Sequence, residues 1–212
     1  METKQEILTT ARDLFAQSGY EAVGIQQICT AVGITKPSLY HHFGNKEMLL
    51  AEVAADATAA FLRALSGESD TPGGGHSSSG SRSAAVAAHD AIPFSGDLVS
   101  DVRKHLAAVI DFSLTNPARF QIILQLLYPP QGSVLGRIGT PEREHIHASL
   151  ARFFTSAVIA HGNLAGKEPF LATIYLGHAV ALAQFLADRA CAPPPDSPEV
   201  VEAAQTFIYG IF

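Results

Sequence analysis

The chain has 212 residues, enough for one larger or two small domains, and its 47% hydrophobic content is ample for a buried core. Its formal charge of −6, from 14 Lys and Arg against 20 Asp and Glu, excludes a general electrostatic grip on nucleic acid or on an anionic membrane; any DNA contact has to be local and oriented. The apolar runs are broken before the roughly 20 residues a membrane helix needs, and the N-terminal METKQEIL has no signal-peptide core, so a soluble cytoplasmic protein without a membrane span is expected.

Helix signals run almost throughout and no alternating pattern reads as a strand, which predicts an all-α chain. Thr3 to Glu6 has the form of a capping box, Ile7, Leu8, Ala11, Leu14 and Phe15 share one helical stripe, and Gly19 is placed to stop the first helix. A second, shorter stripe of Ile25, Ile28, Cys29 and Val32 ends at Gly33. Thr35 then caps a third helix with Pro37 in its first turn, where a missing N–H costs nothing, and Gly44 ends it. Asn45 caps a fourth, whose apolar face carries Leu49, Leu50, Val53, Phe61 and Leu62.

Residues 1–50 thus read as one small helical domain and 51–65 as a connecting helix. Residues 66–96, rich in Gly and Ser, bury too little to offset chain entropy and read as a flexible linker. Residues 97–212 form a second helical domain, with helices from Leu98 to Thr115, Ala118 to Tyr128, Thr140-Pro141 to His161, Pro169 to Ala190, and Pro198 to the end. Cys29 and Cys191 suggest neither a disulfide framework nor a zinc motif, and both read as buried small residues.

The third helix is two-sided. At about 100° per residue Leu39 and Phe43 fall together, Pro37, Ser38 and His41 fall opposite, and Tyr40 and His42 flank them. Preceded by a short helix and the turn Gly33-Ile34-Thr35, this has the arrangement of a helix-turn-helix, in which the second helix enters a major groove by its N-terminal end; spacing alone fits equally a surface helix with chance aromatics. Tyr, His and Ser can hydrogen-bond phosphate or base edges, and Lys46 places a cation at the next helix N-terminus.

The segments ARDLFAQSGY (Ala11 to Tyr20) and ICTAVGITKPSLYHHFGNKEMLL (from Ile28) resemble the N-terminal domain of the tetracycline-repressor (TetR-type) family of transcriptional regulators. The resemblance covers about a quarter of the chain strongly and leaves the rest merely compatible. It implies double-stranded DNA as partner, contacted by Thr35, Lys36, Pro37, Ser38, Tyr40, His41 and His42; Gln26 and Gln27, whose amides can read adenine or simply be solvated, are further candidates near the start of the second helix. Tyr40 and Lys46 match phosphate-anchoring positions, and Lys36, Pro37 and His41 lie where base edges are approached. One departure is Val23-Gly24 where the family commonly has Thr or Ser before the second helix, so that cap offers no hydroxyl. The first 50 residues also carry Lys4, Arg12, Lys36 and Lys46 against five acids, a local charge of −1.

The resemblance further implies a C-terminal ligand-binding and dimerisation domain, hence a homodimer on a near-palindromic operator with a small hydrophobic or amphipathic effector and no cofactor. Polar and aromatic residues within its apolar helices are the pocket candidates: His105, Phe112, Phe120, Gln121, Tyr128, Phe154, His161, Tyr175 and His178, with Gln125 among further polar groups. Leu171, Ile174, Ala181, Phe185, Val200, Ala204, Phe207, Ile208 and Ile211 form the stripes expected at the dimer interface. Neither an enzyme nor a metal protein is expected: Glu142-x-x-His145 and Glu144-x-x-His147 lack partner motifs on other helices, and His145 and His147 are about 200° apart. The rival reading is a helix-turn-helix-derived regulatory or interaction protein that has lost specific DNA binding.

Overall fold

The computed structural model describes residues 2–68, 92–160, 165–187 and 191–211. Among them are ten helices and no strand: α1 Glu2–Ser18, α2 Ile25–Val32, α3 Lys36–Phe43, α4 Lys46–Ser66, α5 Leu98–Thr115, α6 Pro117–Leu127, α7 Val134–Ile138, α8 Thr140–Ala160, α9 Glu168–Phe185 and α10 Pro198–Ile211. None of these helices is long and apolar enough to cross a membrane. Residues 69–91 of the stretch read as a linker lie outside the described residues, whereas Ile92 is buried and Phe94 packs edge-on against Phe153 at 5.9 Å.

Two compact units emerge. The first joins the chain up to Thr58 with Asn116–Glu144, so α6 and α7 group with the N-terminal helices, a boundary the sequence did not suggest. In it α1 packs on α2 and α6, burying Ile7, Ala11 and Phe15 with Ile28, Leu39, Phe43, Leu49, Leu50, Phe120 and Ile123. Each large apolar side chain so buried contributes roughly 1.5–3 kcal/mol. Polar bonds pin α6 further. Arg119 grips Asp56 through Nε at 2.9 Å and Nη2 at 3.3 Å, and Gln125 Nε2 donates to the Phe15 and Ala16 carbonyls at 3.1 and 3.4 Å. Gln125 therefore ties α6 to the C-terminal end of α1, where the Phe15 carbonyl also accepts from Gly19 N at 2.9 Å.

Three local expectations change. α1 begins at Glu2, which puts Thr3 inside its first turn instead of ahead of it. Thr140 likewise lies within α8, its hydroxyl donating back to the Gly136 carbonyl at 2.9 Å. The five-residue α7, capped by the Ser133 hydroxyl accepting from Gly136 N at 3.0 Å, is too short to show periodicity. After it the chain passes so close to α6 that a Cβ on Gly139 would meet Leu126 at 2.5 Å and the Leu135 carbonyl at 2.8 Å, which demands glycine.

The second unit comprises Ala59–Thr115 and residues from His145 onward. α5 packs on α9 and α10, around a run of rings in mutual contact: His105 on Phe153 (4.8 Å), Phe153 on Phe154 (5.2 Å), Phe154 on Tyr175 (5.7 Å), Tyr175 on Phe207 (5.1 Å) and Phe207 on His178 (5.9 Å). The first four pairs meet edge-to-face and the last is stacked, and aromatic pairs of these kinds add about 0.5–1.5 kcal/mol each beyond burial. His178 Nε2 donates to the Ala203 carbonyl at 3.0 Å and links α9 to α10. α9 ends at Phe185, short of the expected Ala190, and Cys191 is exposed whereas Cys29 is buried as expected.

Burial holds the His105 imidazole neutral, pushing its pKa from 6.5 down to about 4, with Asp101 opposing and Lys104 assisting. The unfolded chain takes up this proton below about 6.5 and the folded chain only near 4, so stability falls as the pH drops through that window. Urea unfolding at pH 7 and pH 5 is expected to show a loss of about 2 kcal/mol from this group, absent in His105→Phe. An unchanged pH dependence in the variant would assign the effect elsewhere.

Candidate nucleic-acid interface

The candidate surface is built on α2 and α3 of the first unit. Gly24 takes extended geometry (φ −89°) and caps α2 by its carbonyl alone, accepting from Gln27 N at 3.0 Å and Ile28 N at 3.3 Å. α2 buries Ile28 and Cys29 and ends where Gly33 and Ile34 both donate to the Cys29 carbonyl, at 2.9 and 3.0 Å. That paired closure needs a left-handed residue, and Gly33 supplies it at φ +78° with open space around its Cα, so the demand is on the backbone and not on room.

Thr35 leads directly into α3. Its hydroxyl accepts from Ser38 N at 3.4 Å, its carbonyl accepts from Leu39 N at 3.1 Å, and Pro37 sits in the first turn as the sequence predicts. Gly44 N closes the far end on the Tyr40 carbonyl at 2.8 Å. Asn45 then starts α4, its Oδ1 accepting from Met48 N at 2.8 Å. Between these stops Leu39 and Phe43 are fully buried, and Lys4 of α1 lies over the Phe43 ring at 5.2 Å while pairing with Glu52 at 2.8 Å.

With its two anchors buried, α3 presents Lys36, Pro37, Tyr40 and His41 to solvent beside the exposed Thr35 of the preceding turn, with Ser38 and His42 half-buried at the edges. Tyr40 is 43% exposed, a large aromatic left on the surface of a helix whose other aromatic is in the core. The His41 and His42 rings meet edge-on at 5.7 Å. Gln26 is exposed in the first turn of α2, its amide 3.5 Å from the Thr30 hydroxyl, a contact at the limit of a hydrogen bond that leaves the side chain adaptable. The structure brings all these residues together on α2, α3 and the turn between them.

Lys46 is placed differently from a free cation. Its Nζ donates to the Tyr20 carbonyl at 2.6 Å and lies 4.0 Å from the centre of the Tyr20 ring. Partial burial lowers its pKa, with Glu21 opposing. Tyr20 in turn rests on Phe15 at 5.5 Å. Lys46 therefore clamps the α1–α2 turn onto the start of α4 and keeps two of its three N–H donors for other partners. Nearby, Arg137 of α7 pairs with Glu47 at 3.1 Å; both are largely exposed, so the pair is worth well under about 1 kcal/mol but places a second cation beside α4. Sequence reasoning missed Arg137 because 90 residues separate the partners.

The effector candidates are not gathered into one place. Phe120, Gln121 and Tyr128 belong to the first unit: Phe120 is in its core, and Gln121 and Tyr128, seven residues apart on the outward face, are exposed, Tyr128 by 65%. Phe112 packs on Phe61 at 5.6 Å, and His105, Phe154, Tyr175 and His178 join the ring cluster of the second unit. His161 lies outside the described residues. Of the dimer candidates, Leu171, Val200, Ala204, Phe207 and Ile208 are buried in the protomer's own core, because those stripes face α5; Ile174, Ala181 and Phe185 are exposed, and the Ile211 side chain lies outside the described set.

Residues 7–53 match the model of the family described as bacterial regulatory proteins, tetR family. Over 64 residues the chain is 36% identical to the HTH-type transcriptional repressor AcnR of Corynebacterium efficiens, covering 30% of this chain and 34% of that protein. The chain thus spans about a third of the length of the curated relatives it matches first. Over its whole length it shares the fold of Salmonella enterica GusR (TM-score 0.67, 19% identity, 99% of this chain and 95% of that one). It also shares the fold of AibR, solved with isovaleryl coenzyme A and operator DNA (TM-score 0.57, 20% identity, 99% and 97% covered). Residues 7–53 are thus similar to the domain that the tetR family of bacterial regulatory proteins shares, and the full-length fold is one also found in GusR and AibR.

Proposed function

We propose that the protein is a dimeric DNA-binding transcriptional regulator, a repressor that leaves a near-palindromic operator when a small hydrophobic or amphipathic effector binds. The observation that carries this reading is the division of α3: Leu39 and Phe43 buried, and Lys36, Pro37, Tyr40 and His41 left in water on a helix stopped at both ends. A helix held this way can enter a major groove N-terminus first. Lys36, Pro37 and His41 then approach base edges; Thr35, Ser38, Tyr40 and His42 bond the backbone; Gln26 reaches from α2. Lys46 takes a phosphate with its remaining donors while bracing Tyr20.

Dimerisation is supported by an apolar stripe on α9, where Phe170, Ile174, Ala181 and Phe185 are exposed along one side, Phe185 by 83%. Phe170 and Tyr209, 70% exposed on α10, join the sequence-derived candidates. Repression is supported by the curated relative AcnR, and effector control by AibR with its bound acyl-coenzyme A. An effector releases DNA only to the extent that it binds the non-productive conformation more tightly. The rival reading, a helix-turn-helix protein without specific DNA binding, draws on the lack of a side-chain cap on α2 and on the engaged Lys46.

A salt-titrated binding assay on the duplex flanking the gene separates the two: a specific complex weakening steeply with salt supports the regulator, and no preference over random duplex at any salt rejects it. In that assay Tyr40→Phe is expected to weaken all sequences several-fold alike, whereas Lys36→Ala alters preference by about 1–3 kcal/mol at one position. Lys46→Met is expected to lower the urea midpoint by an amount worth about 1–2 kcal/mol as well as to flatten the salt dependence. A midpoint equal to wild type would show that the Tyr20 clamp contributes nothing. Phe185→Glu is expected to give a monomer by sedimentation with lost operator affinity; a variant that stays dimeric places the interface elsewhere.

A further inference from the structure

Of the arginines in the first unit, Arg12, Arg119 and Arg143 are structural. Arg12 is paired with Asp13 at 3.0 Å and lies 3.8 Å from Asp56, Arg119 grips the same Asp56 and the Asn116 side-chain oxygen, and Arg143 donates to two carbonyls and a hydroxyl. Arg12 and Arg119 keep only 16% and 21% of their side chains in water. Arg137 differs. Its side chain is 66% exposed, and among the described residues its guanidinium has a single partner, Glu47, whose Oε1 accepts from Nη2 at 3.1 Å.

This exposed side chain rises from a fixed base. Arg137 N donates to the Ser133 carbonyl at 3.3 Å, Gly139 lies too close to α6 to admit a Cβ, and the Gly136 carbonyl accepts from both Arg143 and Thr140. At its tip Arg137 meets the start of α4, which follows α3 after only Gly44 and Asn45. Glu47 is the neighbour of Lys46, whose ammonium lies 4.0 Å from the centre of the Tyr20 ring. The Tyr20 hydroxyl has its pKa raised by burial first and then by Glu47 and Glu21, with Arg137 opposing, so two cations and two acids gather around one ring.

An exposed arginine–carboxylate pair adds little to stability, so stability does not account for this placing. A phosphate presents a guanidinium with the same two-oxygen edge as a carboxylate, and arginine can bind either through two parallel N–H donors. Charges on one DNA strand recur about every 3.4 Å along the axis, so a backbone that gives Lys46 one phosphate brings the next close to Arg137. Glu47 and Glu21 oppose the approach; the bidentate contact and the counterion it releases favour it.

We propose that Arg137 is a DNA-backbone contact outside the helix-turn-helix, its guanidinium leaving Glu47 on binding to take a phosphate next to the one held by Lys46. The inference rests on the DNA-binding reading above.

The test is fluorescence-anisotropy titration of the full chain on the duplex flanking the gene and on a random duplex of equal length, from about 50 to 200 mM salt. Arg137→Gln is expected to weaken binding to both duplexes alike, about tenfold at the lowest salt, and to make the slope of log K against log salt shallower by about 0.9, one phosphate fewer. The deciding comparison is made in Glu47→Gln, where the guanidinium is already free: adding Arg137→Gln there is expected to cost affinity and slope again. Urea midpoints close to that of wild type are expected for all three variants and check that the fold persists. An unchanged slope in Arg137→Gln overturns the proposal. So does a loss that appears only while Glu47 is present, since Arg137 would then merely screen that carboxylate from DNA. A wild type without preference for any sequence at any salt rejects the regulator reading, and this inference falls with it. A specific wild-type complex that Arg137→Gln reproduces unchanged rejects this inference alone.

Discussion

An eight-residue helix does not hold itself together in water, because the cost of nucleating it exceeds what two turns of hydrogen bonds return. α3 exists because Leu39 and Phe43 are sunk in the first unit's core and because both of its ends are closed, by Thr35 at one and Gly44 at the other. Those anchors also fix its rotation about its axis, and that rotation decides which side chains remain in water. Every other feature of the candidate interface follows: the exposure of Tyr40, the placing of Lys36 and Pro37 at the outward N-terminal turn, and the need for α1 and α4 to converge on the Phe43 ring through Lys4 and Glu52.

The supports of that core come from far along the chain. α6 lies on α1, and its Arg119 and Gln125 reach Asp56 on α4 and the carbonyls at the end of α1. Arg143 ties the same region, donating to the Leu126 and Gly136 carbonyls at 3.0 and 2.9 Å and to the Thr140 hydroxyl at 2.8 Å. Such bonds engage carbonyls at or near helix ends, where helical partners run out. The helix-turn-helix is therefore braced by residues that follow it by up to about 100 positions, and grouping α6 and α7 with it is a physical description as well as a geometric one.

Much of the interface was legible because capping is local. Thr35, Pro37, Gly33, Gly44 and Asn45 act within four residues of themselves, so their spacing carries their roles, and the two-sidedness of α3 follows from helical period alone. Lys46 was only half legible. Its place at the start of α4 could be read, but its bond to the Tyr20 carbonyl, 26 residues back, could not. In the second unit the period of the last helices identified apolar stripes but could not divide them between core and surface, since a stripe facing α5 and a stripe facing water look alike in a sequence. Leu171, Val200, Ala204, Phe207 and Ile208 went inward, and Ile174 and Phe185 stayed out.

By itself, then, the sequence determined that the chain is helical, where most helices begin and end, and which side of α3 is offered outward, because each depends on interactions between residues a few positions apart. Tertiary structure alone decided that Gln125 ties α6 to the end of α1, that Gln121 and Tyr128 are exposed, that Lys46 grips Tyr20, and that His105 Nδ1 lacks a hydrogen-bond partner. These outcomes turn on which polar group happens to meet which across the packed helices. A buried polar atom must be paired or be left at a cost, and only the assembled core determines which.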